Sequence, residues 1–110
     1  MLFSFSLLVL GFACSTTPES CEDLCLAAEE LTANCLEGWE LDWNAAGYAN
    51  AQDFQNSCST WAWEQEQLIE AAEKRGEKTA DLASVCEERT KILSADTASC
   101  TDMGLWGEEL

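Results

Sequence analysis

Histidine is absent from this chain of 110 residues. That absence removes the usual general base of acid–base catalysis and a very common metal ligand. Basic side chains are scarce as well: five Lys and Arg stand against 21 Asp and Glu, for a formal net charge of −16. A surface of that sign repels phosphates, which excludes nucleic acid as a partner. It also disfavours peripheral adsorption on anionic head groups, and it favours solubility and resistance to non-specific association. Ordinary core formers are few. Leu, Ile, Val and Phe make up about 15% of residues 15–110, below the roughly 20% under which strongly charged chains tend to stay disordered.

One apolar run interrupts this picture. Residues 2–13, Leu-Phe-Ser-Phe-Ser-Leu-Leu-Val-Leu-Gly-Phe-Ala, carry no charge, and the first charged side chain is Glu19. The run is shorter than the roughly 20 residues of a transmembrane helix. It fits the hydrophobic region of a signal peptide, with small residues at Gly11 and Ala13 ahead of a cleavage point before Cys14. No Lys or Arg precedes it, so either the amino terminus alone supplies the positive charge or translation starts upstream. A buried N-terminal helix is the alternative, but the run shows no polar face. The expected organisation is a signal peptide over 1–13, a polar tether over 14–20 and one disulfide-stabilised helical domain over 21–110.

What the mature part has instead of aliphatics is tryptophan and cysteine. Trp39, Trp43, Trp61, Trp63 and Trp106 each offer about 150–250 Å² of buriable surface. Six cysteines follow Cys14, enough for three disulfides in an oxidising compartment. At roughly 2–4 kcal/mol each they would contribute about 6–12 kcal/mol. That rivals the whole net stability of a typical domain, about 5–15 kcal/mol.

The hydrophobic spacing is helical. Ser20, with Asp23 three positions on, forms a capping pair. Cys21, Leu24, Ala28, Leu31 and Cys35 then repeat at steps of three and four, with Cys25 beside them, until Gly38 stops the helix. Residues 37–50 read as a connector with turn-forming Gly47 and Asn50. Asn50 and Asp53 cap a second helix whose seam is Phe54, Cys58, Trp61, Gln65, Leu68 and Ala72. It ends at Lys74-Arg75-Gly76, as the helix dipole prefers. Thr79 caps a third helix with Leu82, Val85, Cys86, Arg89 and Leu93 on its face. Asp96-Thr97 opens a last turn carrying Cys100, after which residues 103–106 fold back on the core and residues 108–110 fray. No strand-type alternation or internal repeat occurs, so the fold class expected is all-α: a small three-helix up-down-up bundle held by disulfides.

Helix levels in such a bundle narrow the pairing. Cys21 lies near the start of the first helix and Cys86 near that of the third, while Cys35 and Cys100 share the opposite end. Cys25 and Cys58 remain, about one turn apart in height at 1.5 Å per residue. The favoured set is Cys21–Cys86, Cys25–Cys58 and Cys35–Cys100, with Cys58–Cys100 as the competing pair.

The stretch Leu10-Gly11-Phe12-Ala13-Cys14, followed by a Ser/Thr/Pro spacer, resembles the lipobox of small cysteine-rich bacterial lipoproteins. The resemblance implies a diacylglyceryl group on the Cys14 thiol, cleavage before it, and anchoring to a bacterial membrane in the cell envelope. A lipid there also accounts for the seventh, odd cysteine. Ordinary cleavage, leaving a secreted soluble protein with a free or intermolecularly paired Cys14, is the alternative.

Two other features point to a ligand. Asp42 to Asp53 resembles an EF-hand or dockerin calcium loop, with Asp42, Asn44, Gly47, Asn50 and Asp53 at positions 1, 3, 6, 9 and 12. Position 5 is Ala46, where an oxygen donor belongs, and the competing reading is an acidic turn feeding a capped helix. The tryptophans offer a stacking platform for a glycan or peptide. Trp61 and Trp63 lie about 200° apart on a helix, so Trp61 fits the seam and Trp63 belongs at the surface. Trp39 and Trp43 would share a face if both were helical.

Catalysis has little to stand on. The closest cysteines, Cys21 and Cys25, lack the C-x-x-C spacing of zinc sites, and pairs such as Glu29-Glu30 and Glu87-Glu88 read as solvated faces. The chain is therefore expected to be no enzyme, to carry no metal or cofactor, and to act in a structural or protein-interaction role. A module for calcium or a glycan is the alternative.

Overall fold

A computed structural model describes residues 19–80 and 84–108. Its order is α1 (Glu19–Gly38), a 3-10 turn (Trp43–Ala46), α2 (Ala51–Lys74), α3 (Val85–Ser94) and two further 3-10 turns, Cys100–Asp102 and Leu105–Gly107. The described residues contain helices and turns and no strand, and the three long helices form the disulfide-held up-down-up bundle. Helix α1 is the central element, packing against both α2 and α3.

The seam of α1 is buried as its spacing requires: Cys21, Leu24, Cys25, Ala28, Thr32, Cys35 and Leu36 face inward. Leu31 is half-buried against the same core. Ser20 is not the N-cap. The chain is already helical at Glu19.

Gly38 does not end α1 in the expected way either. The amide of Glu40 donates to Glu37 and that of Leu41 to Leu36, the paired bonds of a Schellman cap. The left-handed residue that closes it is Glu40, at φ 57°. An L-residue there costs about 1–2 kcal/mol relative to glycine.

Helix α2 starts and stops as its sequence dictates. The Asn50 side chain accepts from the Asp53 amide at 2.8 Å. At the other end the Gly76 amide donates to Glu73 and the Glu77 amide to Ala72, with Gly76 left-handed at φ 81°. Its seam, however, is buried mainly in its first half, with Ala72 buried again near the end. Phe54, Cys58 and Ala62 are buried, whereas Leu68 is 60% exposed. The reason is length. Cys58 sits opposite Cys25, and beyond that level the described part of α1 reaches Glu19, about 9 Å, while α2 continues to Lys74, about 24 Å. The last turns of α2 therefore overhang the described part of α1.

The described body of the third helix is Val85–Ser94, with Cys86 and Leu93 buried. Leu82 of its expected face lies outside the described residues. The Thr79 hydroxyl donates to Glu73 Oε2 at 3.1 Å. The turn carrying Cys100 is capped by Ser99 and Asp102, which form a reciprocal capping box, in place of Asp96-Thr97. The Asp102 carboxylate accepts from the Ser99 amide at 3.0 Å, a reach-back that Asp96-Thr97 cannot make for a turn that begins at Cys100.

Candidate functional site

Three disulfides tie the helices together. Cys21 joins Cys86 at a Cα separation of 5.1 Å, Cys25 joins Cys58 at 5.8 Å, and Cys35 joins Cys100 at 5.8 Å. Two of them staple the start of α1, to α3 and to α2, and the third fixes its end to the C-terminal turns. All six of these cysteines have partners. The expected signal segment 1–13, Cys14 and residues 15–18 of the tether lie outside the described residues, while Glu19 and Ser20 belong to α1.

Between the staples sits an aromatic box centred on Phe54, which is 1% exposed. Tyr48 meets it edge-on at 5.1 Å, Trp106 edge-on at 5.4 Å, and Trp43 at a tilt at 5.4 Å. Trp106 continues the row to Trp61 at 5.9 Å. Edge-to-face pairs of this kind are each worth about 0.5–1.5 kcal/mol beyond the area they bury. Tryptophan and tyrosine thus stand in for the missing aliphatics.

Arg89 locks the C-terminal segment onto this box. Its Nη1 donates to the carbonyls of Trp106, at 3.0 Å, and Glu108, at 2.9 Å. Its guanidinium lies 5.6 Å from the centre of the Trp61 ring. The turn Leu105–Gly107 consequently touches all three helices. Sequence spacing placed Arg89 on the inner face of the third helix, but its partners are backbone carbonyls seventeen and nineteen residues away, which no local pattern announces.

The Asp42–Asp53 loop spends its oxygens on its own backbone. Asp42 Oδ1 accepts from the Asn44 amide at 3.1 Å, capping the turn Trp43–Ala46. Asn50 caps α2, and Asp53 Oδ2 accepts from the Ala49 amide at 2.9 Å. Gly47, left-handed at φ 96°, closes the 3-10 turn. Among the described residues, no group of three or more His, Cys, Asp or Glu side chains is placed to hold a metal ion. The loop is thus built as an acidic turn feeding a capped helix.

The tryptophans divide by position. Trp61 and Trp43 pack against the core, whereas Trp63 is 46% and Trp39 51% exposed. Trp39 lies just beyond the last residue of α1 and Trp43 in the following 3-10 turn, so the two do not share a helical face. Glu29-Glu30 and Glu87-Glu88 lie on helix surfaces. Glu87 reaches Lys91 at 3.7 Å with both side chains open to solvent, an ion pair of little energetic weight. A groove of about 320 Å³ runs between the C-terminal halves of α1 and α3, floored by Leu31 and Leu93 and rimmed by Glu30, Asn34 and Asp96.

The arrangement defines a small helical domain stitched by disulfides, of a kind that belongs in an oxidising, extracellular compartment. Among the described residues no helix is long and apolar enough to cross a membrane. No family model, curated protein or solved structure matches the chain.

Proposed function

We propose that this protein is an exported lipoprotein, anchored to a bacterial membrane through Cys14, whose folded domain serves a structural or protein-interaction role with no chemistry of its own. The observation that carries the reading is the set of three disulfides linking α1, α2, α3 and the C-terminal turns. Such a framework forms and persists outside the reducing cytosol. The apolar run before Cys14 supplies the export signal, the lipobox-like stretch Leu10 to Cys14 supplies the acceptor for the lipid, and the residues from Cys14 to the start of α1 supply the tether. The membrane is then one partner, reached through the lipid, and a protein is the other. The high negative charge keeps nucleic acid away.

Metabolic labelling with radioactive palmitate tests this directly. The wild-type chain expressed in a bacterium should incorporate label and fractionate with membranes, and its intact mass should show three disulfides. Cys14→Ala should lose the label and leave the membrane fraction. Equal labelling of both forms, or a reduced and unprocessed chain in the cytosol, would overturn the reading.

A further inference from the structure

We propose that the turn between α2 and α3, Lys74 to Lys78, faces an anionic phospholipid surface and sets the domain upright on the membrane. The inference rests on anchoring through Cys14 and adds to it a defined orientation. Topology places this turn at the tethered end. Cys86 in the first turn of α3 is bonded to Cys21 near the start of α1, so the chain leaving α2 enters α3 beside the end of α1 that the tether reaches.

The lengths match. Five peptide steps separate Cys14 from Glu19, about 17 Å when fully extended. The overhanging tip of α2 projects beyond Glu19 by the difference between about 24 Å and about 9 Å of helix, roughly 15 Å. The tether is therefore long enough for a lipid held at Cys14 and the tip of α2 to meet the same surface.

Charge selects the same face. Lys74-Arg75-Gly76-Glu77-Lys78 carries a formal +2 in a chain of −16, and still +1 with the Glu73 carboxylate that the Thr79 hydroxyl holds beside it, so the negative excess lies in the rest of the chain. Anionic lipid repels that remainder, and basic residues close to it are attracted over about one Debye length. Within the turn, the guanidinium of Arg75 is held by Glu77 at 2.6 Å, so Lys74 and Lys78, both exposed, make the approach. The left-handed Gly76 reverses the chain between them. The overall acidity that opposes adsorption by any other surface is thus what orients the tethered domain.

The chain has three lysines, Lys74, Lys78 and Lys91, and Lys91 on α3 is the internal control. The full lipidated protein is reconstituted in phosphatidylglycerol–phosphatidylcholine vesicles and treated with a membrane-impermeant acetylating reagent, with site occupancy read by mass spectrometry. Relative to the same protein in neutral detergent, acetylation of Lys74 and Lys78 should slow at least about fivefold, the factor for one basic residue at an anionic surface, while Lys91 is unchanged. Pure phosphatidylcholine vesicles should give clearly less protection. Equal labelling of all three lysines, stronger protection of Lys91, or the same protection on neutral and anionic vesicles would overturn the orientation alone. A protein whose intact mass lacks the diacylglyceryl group would overturn the anchoring, and the orientation with it.

Discussion

Helix α2 contains two regions of the same secondary structure held by different forces. Its first half, Ala51 to Ala62, is pinned by the Cys25–Cys58 bridge, by Phe54 at the centre of the aromatic box, and by the Gln55 side chain donating to the Cys25 carbonyl at 2.9 Å. Its second half, Trp63 to Lys74, leaves Trp63 and Leu68 in solvent and buries only Ala72. That half depends on helix continuity and on the Schellman cap at Gly76. Isolated helices of about a dozen residues are marginal in water. The difference teaches that in this acidic, aliphatic-poor chain, order follows the covalent staples and the aromatic box more than helical spacing. The tip stays ordered as an extension of a pinned helix.

The largest expected effect is on the stapled region as a whole. The bridges close loops spanning 65, 33 and 65 residues of sequence, each worth about 4 kcal/mol by loop-closure entropy. Full reduction with blocked thiols should abolish the cooperative thermal transition and most far-ultraviolet helical ellipticity. A reduced protein that melts like the oxidised one would erase the distinction between the two halves of α2.

Next comes the box. Trp106→Ala removes two edge-on ring contacts and loosens the segment that Arg89 holds, and should cost about 3 kcal/mol in chemical denaturation. A loss below about 1 kcal/mol would show that the C-terminal turn rides on the core without supporting it.

Two substitutions in or next to the stapled region should raise stability. Thr32 is 3% exposed and its hydroxyl has no hydrogen-bond partner. Thr32→Val keeps the shape, removes an unsatisfied buried oxygen, and should stabilise by about 1–2 kcal/mol. Glu40→Gly relieves the left-handed residue that ends α1 and should add about 1 kcal/mol. Both gains are read as shifts in denaturation midpoint at constant slope. The smallest effect belongs to the overhang, where Leu68→Gln should change global stability by less than about 0.5 kcal/mol. A cost like that of a core leucine would place Leu68 inside the cooperative unit.

Much of this architecture could be read before the fold was known. Steps of three and four among Cys21, Leu24, Ala28 and Cys35 announce α1, and counting helix levels brings Cys25 opposite Cys58, because helical rise is a fixed length. Asn50 with Asp53 and Lys74-Arg75-Gly76 announce the ends of α2, because cap chemistry is local. What was not legible is non-local. Leu68 continues the seam of α2, yet it lies beyond the level that the described part of α1 reaches and is exposed. Gly38 looks the natural stop for α1, yet the paired cap bonds fall two residues later and force Glu40 into the left-handed region. Asp42, Asn50 and Asp53 have calcium-loop spacing, but the same spacing serves to cap a 3-10 turn and a helix, and that is how the backbone amides use them. At the candidate site, the return of Trp106 to the core was legible from its apolarity. The grip of Arg89 on the Trp106 and Glu108 carbonyls was not, since it depends on where a turn lands.

Residue-resolved amide hydrogen exchange on the oxidised protein tests the central contrast most directly. Amides of residues 55–62 in α2 should exchange only through global opening, with protection free energies near that of global unfolding. Those of residues 66–73 should exchange at least about a hundredfold faster through local fraying. Uniform protection from Phe54 to Lys74 would contradict the account, because the helix would then be one cooperative unit and the staples would not decide where order lies.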